Sequence, residues 1–433
     1  MLRRLDLRGA GLDLRGKLPR PAQATEGPVA VVKEILADVA TRGDEAVRDL
    51  TEKFDGVRPT DLRVSPEAIA AALDEIDPEL RTALESAAAG IRDFHEHQVI
   101  ENHTYERDGI VVEGRKVPVD RAGCYVPGGR AIYPSTVLMT AIPAKVAGVG
   151  QVVLCVPPDK TGSVPAPTLA AAAIAEVDEV YAIGGAQAVG AMAYGTESVR
   201  PVDVIVGPGN VFVAIAKREV SGLVGVPSSF PGPSEVVVIA DDSAPADLAA
   251  VDVILQAEHG PGGLAWLISW SETALDRICA EIEAQVAVAP RREDIESTFA
   301  EGGYAVLVDS PEQAVAVSNT IAPEHLELIT EDPQGLVPLV RHAGAVFCGP
   351  WSPASVGDYM AGPSHVLPTD GTARFGSALT VADFQKDVHV ITLTEEALTK
   401  AAPTVAAIAN AEGLAAHADS VLRRLDRGGR SDG

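Results

Sequence analysis

From about residue 150 onward, short runs of Val and Ile alternate with Ala-rich stretches of helical spacing. The runs QVVLCV, EVYAIGG, VDVIVG, EVVVIAD, LAWLISW, YAVLV and AVFCG are apolar almost throughout. They predict strands buried on both faces, because a half-exposed strand alternates apolar and polar positions. Between them TLAAAAIAEV, NVFVAIAKREV and ADLAAVDVILQAEH predict helices. Strands separated by helices predict an α/β fold of mainly parallel sheets covered on both sides. The glycine- and proline-rich stretch LVGVPSSFPGPSE (223–235) interrupts this rhythm and predicts a crossing between two such sheets. The first 25 residues and the region beyond about residue 380 lack the pattern and read as helix or loop, ending in the charged RRLDRGGRSDG. No internal repeat interrupts the chain.

One predicted helix carries chemistry at its end. Ser243 is placed to cap it, with Pro245 and Asp247 in the first turn. Leu248, Val251 and Leu255 form the expected buried stripe, and Asp252, Gln256 and His259 line another face. LQAEHGPGG (255–263) then stops the helix, which puts Gln256 and His259 at the rim of a sheet, where α/β sites form. A Gln one turn before a His serves either as a helix-end hydrogen bond or as half of a metal site.

Composition narrows the classes of function. The 433 residues are 46% hydrophobic, enough for more than one well-cored domain and unlike a disordered chain. Lys and Arg number 35 against 61 Asp and Glu, a formal charge of −26. Such a surface repels phosphate backbones and anionic lipid, which argues against nucleic-acid and membrane roles. No apolar run has the length of a membrane span, and MLRRLDLRGAGLDLRG has charges where a signal peptide is apolar. Cys124, Cys155, Cys279 and Cys348 are far apart and form no paired motif, so a reducing cytoplasm is expected. Cys124 lies in the glycine-rich GCYVPGGR but has no local base, and reads as packing.

Several motif matches fail. GLDLRGKL (11–18) mimics a phosphate-binding loop but has Leu18 where a magnesium-binding hydroxyl belongs, and no strand is expected before it. In FHEHQVIENH, His95 and His97 point to opposite sides of a helix, and a solvated helix is the expected setting. No G-x-G-x-x-G occurs. Even so, IGGAQAVG (183–190) and IVGPGNVF (205–212) each follow a predicted strand and open a helix. Helix starts of this kind bind anions such as a pyrophosphate, with Gln187 and Asn210 as polar contacts. Further on, APEHLEL offers the adjacent pair Glu324 and His325 just before a strand. SVGDYMAGPSHVLPT sets Asp358 and His365 in a glycine–proline loop, and AEGLAAHADS sets Glu412 and His417 around a break at Gly413. Nitrogen and oxygen donors of these kinds suit zinc or manganese.

Together these segments resemble the L-histidinol dehydrogenase family. The likeness rests on CYVPGGRAIYPSTVLM, IGGAQAVGAMAYGTESV, VGPGN, GPSEVVVIAD, QAEHGP, APEHLE, VGDYMAGPSHVLPT and EGLAAH, and spans nearly the whole chain. The resemblance implies two interleaved incomplete Rossmann-like domains, aldehyde-dehydrogenase-like, with small terminal extensions and a swapped homodimer. The implied boundaries are 1–24 for an N-terminal extension, 25–124 with 234–379 for a zinc and substrate domain, 125–233 for an NAD domain, and 380–433 for a swapped helical extension. It implies one zinc per subunit on Gln256, His259 and Asp358, with His417 from the other subunit. Substrate contacts fall on Ser234, Gln256, His259, His325, Asp358, Glu412 and His417, and NAD contacts on Tyr125, Gln187 and Asn210. Glu324 and His325 match the catalytic acid–base pair, and His365 receives no definite role.

The implied reaction converts L-histidinol, two NAD and water into L-histidine and two NADH, the last step of histidine biosynthesis. His325 suits the alcohol proton because an imidazole titrates near neutral pH, and Glu324 suits activation of water. A zinc hydrolase would use similar equipment, and a non-catalytic metal or nucleotide binder would bind without turnover. NADH formation on adding histidinol separates the three.

Overall fold

The apolar runs do become parallel strands, and charged segments outside them add others. The structure, a computed structural model, describes residues 1–19, 26–128, 131–227, 234–260 and 262–428. Its strands in chain order begin with β1 (Arg3–Asp6), β2 (His103–Arg107), β3 (Ile110–Pro118) and β4 (Arg121–Tyr125). Next come β5 (Gln151–Val156), β6 (Glu179–Ala182), β7 (Val204–Val206), β8 (Glu235–Ala240) and β9 (Leu264–Ser269). The last four are β10 (Gly303–Leu307), β11 (His325–Ile329), β12 (Ala345–Cys348) and β13 (Gln385–Leu393).

Two compact units result, one of Met1–Gln98 with Val119–Phe384 and one of Val99–Pro118 with the chain from Gln385 onward. The first unit holds two all-parallel sheets, ordered β6-β5-β4-β7 and β1-β10-β9-β8-β11-β12. Both faces of each are covered, which is why β5, β8 and β9 tolerate no polar alternation and bury nearly every residue. In chain order the smaller sheet reads third, second, first, fourth, the order of a mononucleotide-binding half, with its crossover between β4 and β7. Gly207 lies at that crossover with φ +107°, and a Cβ there would fall 2.0 Å from the Tyr125 carbonyl oxygen. Only glycine fits. The stretch 223–235 does separate the strands of the two sheets, although residues 228–233 lie outside the described residues.

The second unit is an antiparallel sheet, β13-β3-β2, followed by helices Glu395–Ala411 and Ala415–Gly428. The helices break at Gly413 as expected and pack through Ala406, Ala409 and Ala418.

Several expectations need correction. The chain start is not all helix or loop: Arg3–Asp6 forms an edge strand beside β10, where charged side chains project to solvent, and turns and loop follow it to residue 19. The region after residue 380 likewise contains a nine-residue strand, exposed along most of its length and hence tolerant of polar residues. A strand therefore does precede GLDLRGKL, but turns follow instead of a helix. His95 is fully buried, its Nδ1 donating to the Ile91 carbonyl at 2.8 Å, whereas His97 is solvated. Ser243 does not cap the helix, which runs Ala246–Leu255 behind Pro245. Its amide and hydroxyl both donate to Asp241 Oδ1, forming a tight turn. The faces of that helix are also the reverse of those expected. Val251 is 45% exposed, whereas Ala249, Ala250, Asp252, Val253 and Ile254 are buried.

Candidate active site

The acid–base pair sits at the amino-terminal edge of the six-stranded sheet, not at the carboxyl edge where open α/β sheets usually bind ligands. His325 is the first residue of β11 and Glu235 the first of β8, and His325 lies in register with Val236. Two glutamates brace these strand starts. Glu324 accepts from the Glu235 amide at 3.1 Å, and Glu235 accepts from the Glu324 amide at 3.3 Å. Each carboxylate thus satisfies a backbone donor that the opening of a parallel sheet would leave unpaired.

His325 is buried with both ring nitrogens engaged. Nδ1 donates to the Glu235 carbonyl at 3.2 Å, and Nε2 faces Asp358 Oδ1 at 3.4 Å. Burial alone would lower its pKa, but the Glu324 and Asp358 carboxylates outweigh that and hold it up at about 9. Glu324 is pushed up to about 7, chiefly by burial, with His325 pulling the other way. Its Oε2 lies 3.6 Å from His325 Nδ1. The pair can therefore hold or move a proton near neutral pH.

Asp358 does not lie in a loop. It belongs to a short helix, Ala354–Tyr359, brought close to the sheet by Gly357. A Cβ on Gly357 would meet the Phe347 ring at 2.6 Å, and that ring stacks against His325 with centroids 6.0 Å apart. His365, left without a role by the sequence, ties this segment down. Its Nδ1 donates to the Asp358 carbonyl at 3.0 Å, and Nε2 meets the Thr136 hydroxyl at 3.1 Å. Ser364 adds a bond to the Met139 carbonyl at 3.0 Å.

A second carboxyl pair, not found from the sequence, supports both helices that carry candidate ligands. Buried Asp252, one turn before Gln256, hydrogen-bonds to buried Glu327 of β11. Glu327 Oε1 also accepts from the Ala354 amide at 3.2 Å, at the start of the Asp358 helix. Burial first, and the Asp252 charge second, push Glu327 up to about 9, so the pair shares a proton. The folded protein keeps that proton over a range where an unfolded chain sheds it. Its contribution to stability is complete below the ordinary carboxylate pKa and is lost as pH rises towards about 9. The decline is at most about 1.4 kcal/mol per pH unit for one proton. Glu327→Gln should flatten it, which thermal midpoints measured from about pH 5 to about pH 8 will show. Parallel midpoint curves for the two proteins would refute the shared proton.

The remaining candidates distribute as follows. Gln256 is buried at the end of its helix, and His259 closes a 3-10 turn, Ala257–His259, with a side chain outside the described residues. Ser234 is half-buried just before β8. Glu412 and His417 are exposed in the second unit. No group of three His, Cys, Asp or Glu side chains suited to a metal occurs among the described residues. Cys124 is fully buried, and burial pushes its thiol up to about 12, so it holds no thiolate at neutral pH.

Tyr125, Gln187 and Asn210 come together at the carboxyl edge of the smaller sheet. They line a cavity of about 470 Å³ with Pro127, Pro157 and Gly185. The Tyr125 hydroxyl accepts from the Gly185 amide at 3.1 Å, fixing the turn that opens helix Gly185–Tyr194. Asn210 caps helix Val211–Val220, its oxygen accepting from the Phe212 and Val213 amides at 3.0 and 3.2 Å. Both polar atoms of the buried Gln187 amide lack partners. An orphaned donor and acceptor beside a cavity at a sheet crossover fit a polar ligand such as a dinucleotide.

A buried acid–base pair on one parallel sheet, with a crossover crevice on another, is the equipment of an α/β oxidoreductase. Comparison with known proteins narrows the class. The profile of histidinol dehydrogenase matches residues 18–425. The chain is 48% identical over 413 residues to a histidinol dehydrogenase of Chlorobium chlorochromatii, covering 95% of this chain and 96% of that one. It is 46% identical over 405 residues to one from Geobacillus kaustophilus, covering 93% and 95%. The solved structure of histidinol dehydrogenase from Elizabethkingia anophelis superposes with a TM-score of 0.93 at 34% identity, covering 98% of each chain. The chain belongs to the histidinol dehydrogenase family.

Proposed function

We propose that this chain oxidises L-histidinol to L-histidine, using zinc, two NAD and one water, and so catalyses the last step of histidine biosynthesis. The observation that carries the reading is the Glu324–His325–Asp358 constellation, in which a buried proton acceptor sits beside a candidate metal ligand. A cytoplasmic homodimer with shared sites completes it. No helix among the described residues is long and apolar enough to cross a membrane.

The donor set fits zinc: an amide oxygen from Gln256, a carboxylate from Asp358 and imidazoles from His259 and from His417 of the partner subunit. Zinc held there would supply a fixed cation for the substrate's nitrogen donors. Tyr125, Gln187 and Asn210 would hold NAD, which would supply the hydride acceptor for both oxidations. His325 Nδ1 is committed to the Glu235 carbonyl, so Nε2 takes the alcohol proton as the carbon loses hydride and the aldehyde forms. Glu324 then takes a proton from water as its oxygen bonds to the aldehyde carbon, and His325 returns its proton to the former carbonyl oxygen, giving the hydrate. Loss of a second hydride and of the remaining protons leaves the carboxylate. Ser234 and Glu412 hold the substrate.

NADH formation on adding histidinol tests the reading, and a chelator tests the metal. The two parallel sheets already bury a large apolar core, so zinc positions substrate and is not needed for folding. Chelation should abolish turnover and leave far-UV circular dichroism nearly unchanged. Global unfolding on chelation would overturn the positioning role, and histidinol without NADH formation would overturn the function.

A further inference from the structure

The cavity at the crossover of the smaller sheet contains a carboxylate that the reaction does not use. In sheets of this order a carboxylate near the end of the second strand takes the ribose hydroxyls of the dinucleotide. Here the second strand is β5, and its end continues into Pro157 and Pro158, both of which line the cavity. The nearest acid along the chain, Asp159, is committed elsewhere. Its Oδ1 accepts from the Thr161 amide at 2.7 Å, the Thr161 hydroxyl at 2.6 Å and the Ser163 amide at 3.2 Å.

Asp55 reaches the same cavity from a different element. It is the last residue of helix Asp44–Asp55 and lines the space together with Gln187 and Asn210. Its Oδ2 is buried and has no hydrogen-bond partner. Two effects disfavour a carboxylate in this place. Burial removes its water, and the carboxyl end of a helix carries partial negative charge. Burial alone pushes the group up to about 6, with no cation among the described residues to offset it. An orphaned acceptor in such a place is suited to hydroxyl donors that arrive with a ligand. Beside it Ile35, Phe54 and Phe212 supply apolar walls, and Phe54 and Phe212 remain 51% and 39% exposed, free to cover a flat base.

We propose that Asp55 selects NAD over NADP by accepting hydrogen bonds from the two adenosine ribose hydroxyls and repelling a 2′-phosphate. The proposal rests on the reading that this cavity holds the dinucleotide. It assigns to a helix end the task that a strand end performs in the common fingerprint. The proline pair explains the exchange, since it fills the usual position with side chains that donate and accept nothing.

The test is calorimetric titration of the purified full-length protein with NAD and with NADP. The wild type should bind NAD at least about tenfold more tightly than NADP. Asp55→Asn keeps the shape and removes the charge. It should weaken NAD about tenfold or more, as expected for lost charged hydrogen bonds, and tighten NADP. Its thermal midpoint should hold or rise, because an unpaired buried acceptor has become neutral. Asp55→Glu retains the charge and should still reject NADP. An unchanged NAD-to-NADP ratio in Asp55→Asn would overturn the assignment, as would equal NADP binding by the Asn and Glu variants. A wild type that binds neither dinucleotide would overturn the cavity reading beneath it, a result distinct from failure at Asp55 alone.

Discussion

His325→Asn is expected to lower turnover of histidinol by about a hundred- to ten-thousandfold, the usual contribution of a positioned general base. The asparagine can still reach the Glu235 carbonyl that Nδ1 now meets at 3.2 Å, so the start of β11 should stay in place. Glu324→Gln should behave differently. Its amide oxygen can continue to accept from the Glu235 amide, which keeps the brace between β8 and β11. What it cannot do is take a proton from water. Only aldehyde oxidation consumes water, so this variant should slow the aldehyde far more than the alcohol. The measurement is NADH formation from histidinol and from the aldehyde supplied separately. Equal loss in both halves for Glu324→Gln would end the division of labour between the two residues.

Much of the frame was legible because burial on both faces leaves an obvious trace. QVVLCV, EVVVIAD and LAWLISW could hardly be anything but central strands, and β5, β8 and β9 cover them. The strand Arg121–Tyr125 left almost none. It reads RAGCY, small where its neighbours are branched, because Met192 packs against it so closely that a Cβ on Gly123 would lie 2.6 Å from the sulfur. The edge strands β1, β2 and β13 were hidden for the opposite reason, since solvent accepts their charges and no apolar period survives.

The candidate site divides along a similar line. Glu324, His325, Gln187 and Asp358 stand out as polar residues in glycine- or proline-bearing segments. Their supports do not. Asp252 looks like the solvent face of an amphipathic helix, yet it is buried because Glu327, distant in sequence, shares a proton with it. An Ala-rich helix offers two weakly apolar stripes, and the one that packs Ala249, Ala250, Val253 and Ile254 into the core carries Asp252 inward with it. Glu235 and Asp55 are equally silent, one bracing a strand start and one ending a helix. His365 could be seen but not read, since its task is to hold the Asp358 carbonyl of the short helix before it.

Mixing two inactive variants should restore activity if each active site is completed by the other subunit. Asp358→Asn removes a proposed ligand beside His325 on the first unit, and His417→Asn removes one from the second. On its own, each variant forms a homodimer with the same defect at both sites, so neither should turn over. In a hybrid dimer one site draws an intact Asp358 from one chain and an intact His417 from the other, while the second site collects both defects. Activity should therefore return to roughly half the wild-type level per hybrid if the sites are independent. The experiment needs conditions under which subunits exchange, verified by native mass spectrometry of differently tagged chains. Zinc content supplies a readout besides turnover, because hybrids should retain metal at one site in two. If exchange is verified and neither activity nor metal returns, His417 serves its own chain or none, and the shared site is wrong. If it does return, the terminal helices Glu395–Ala411 and Ala415–Gly428 gain a catalytic reason for their place at the end of the chain. A segment that follows the last strand can reach across a twofold axis without disturbing the sheets behind it.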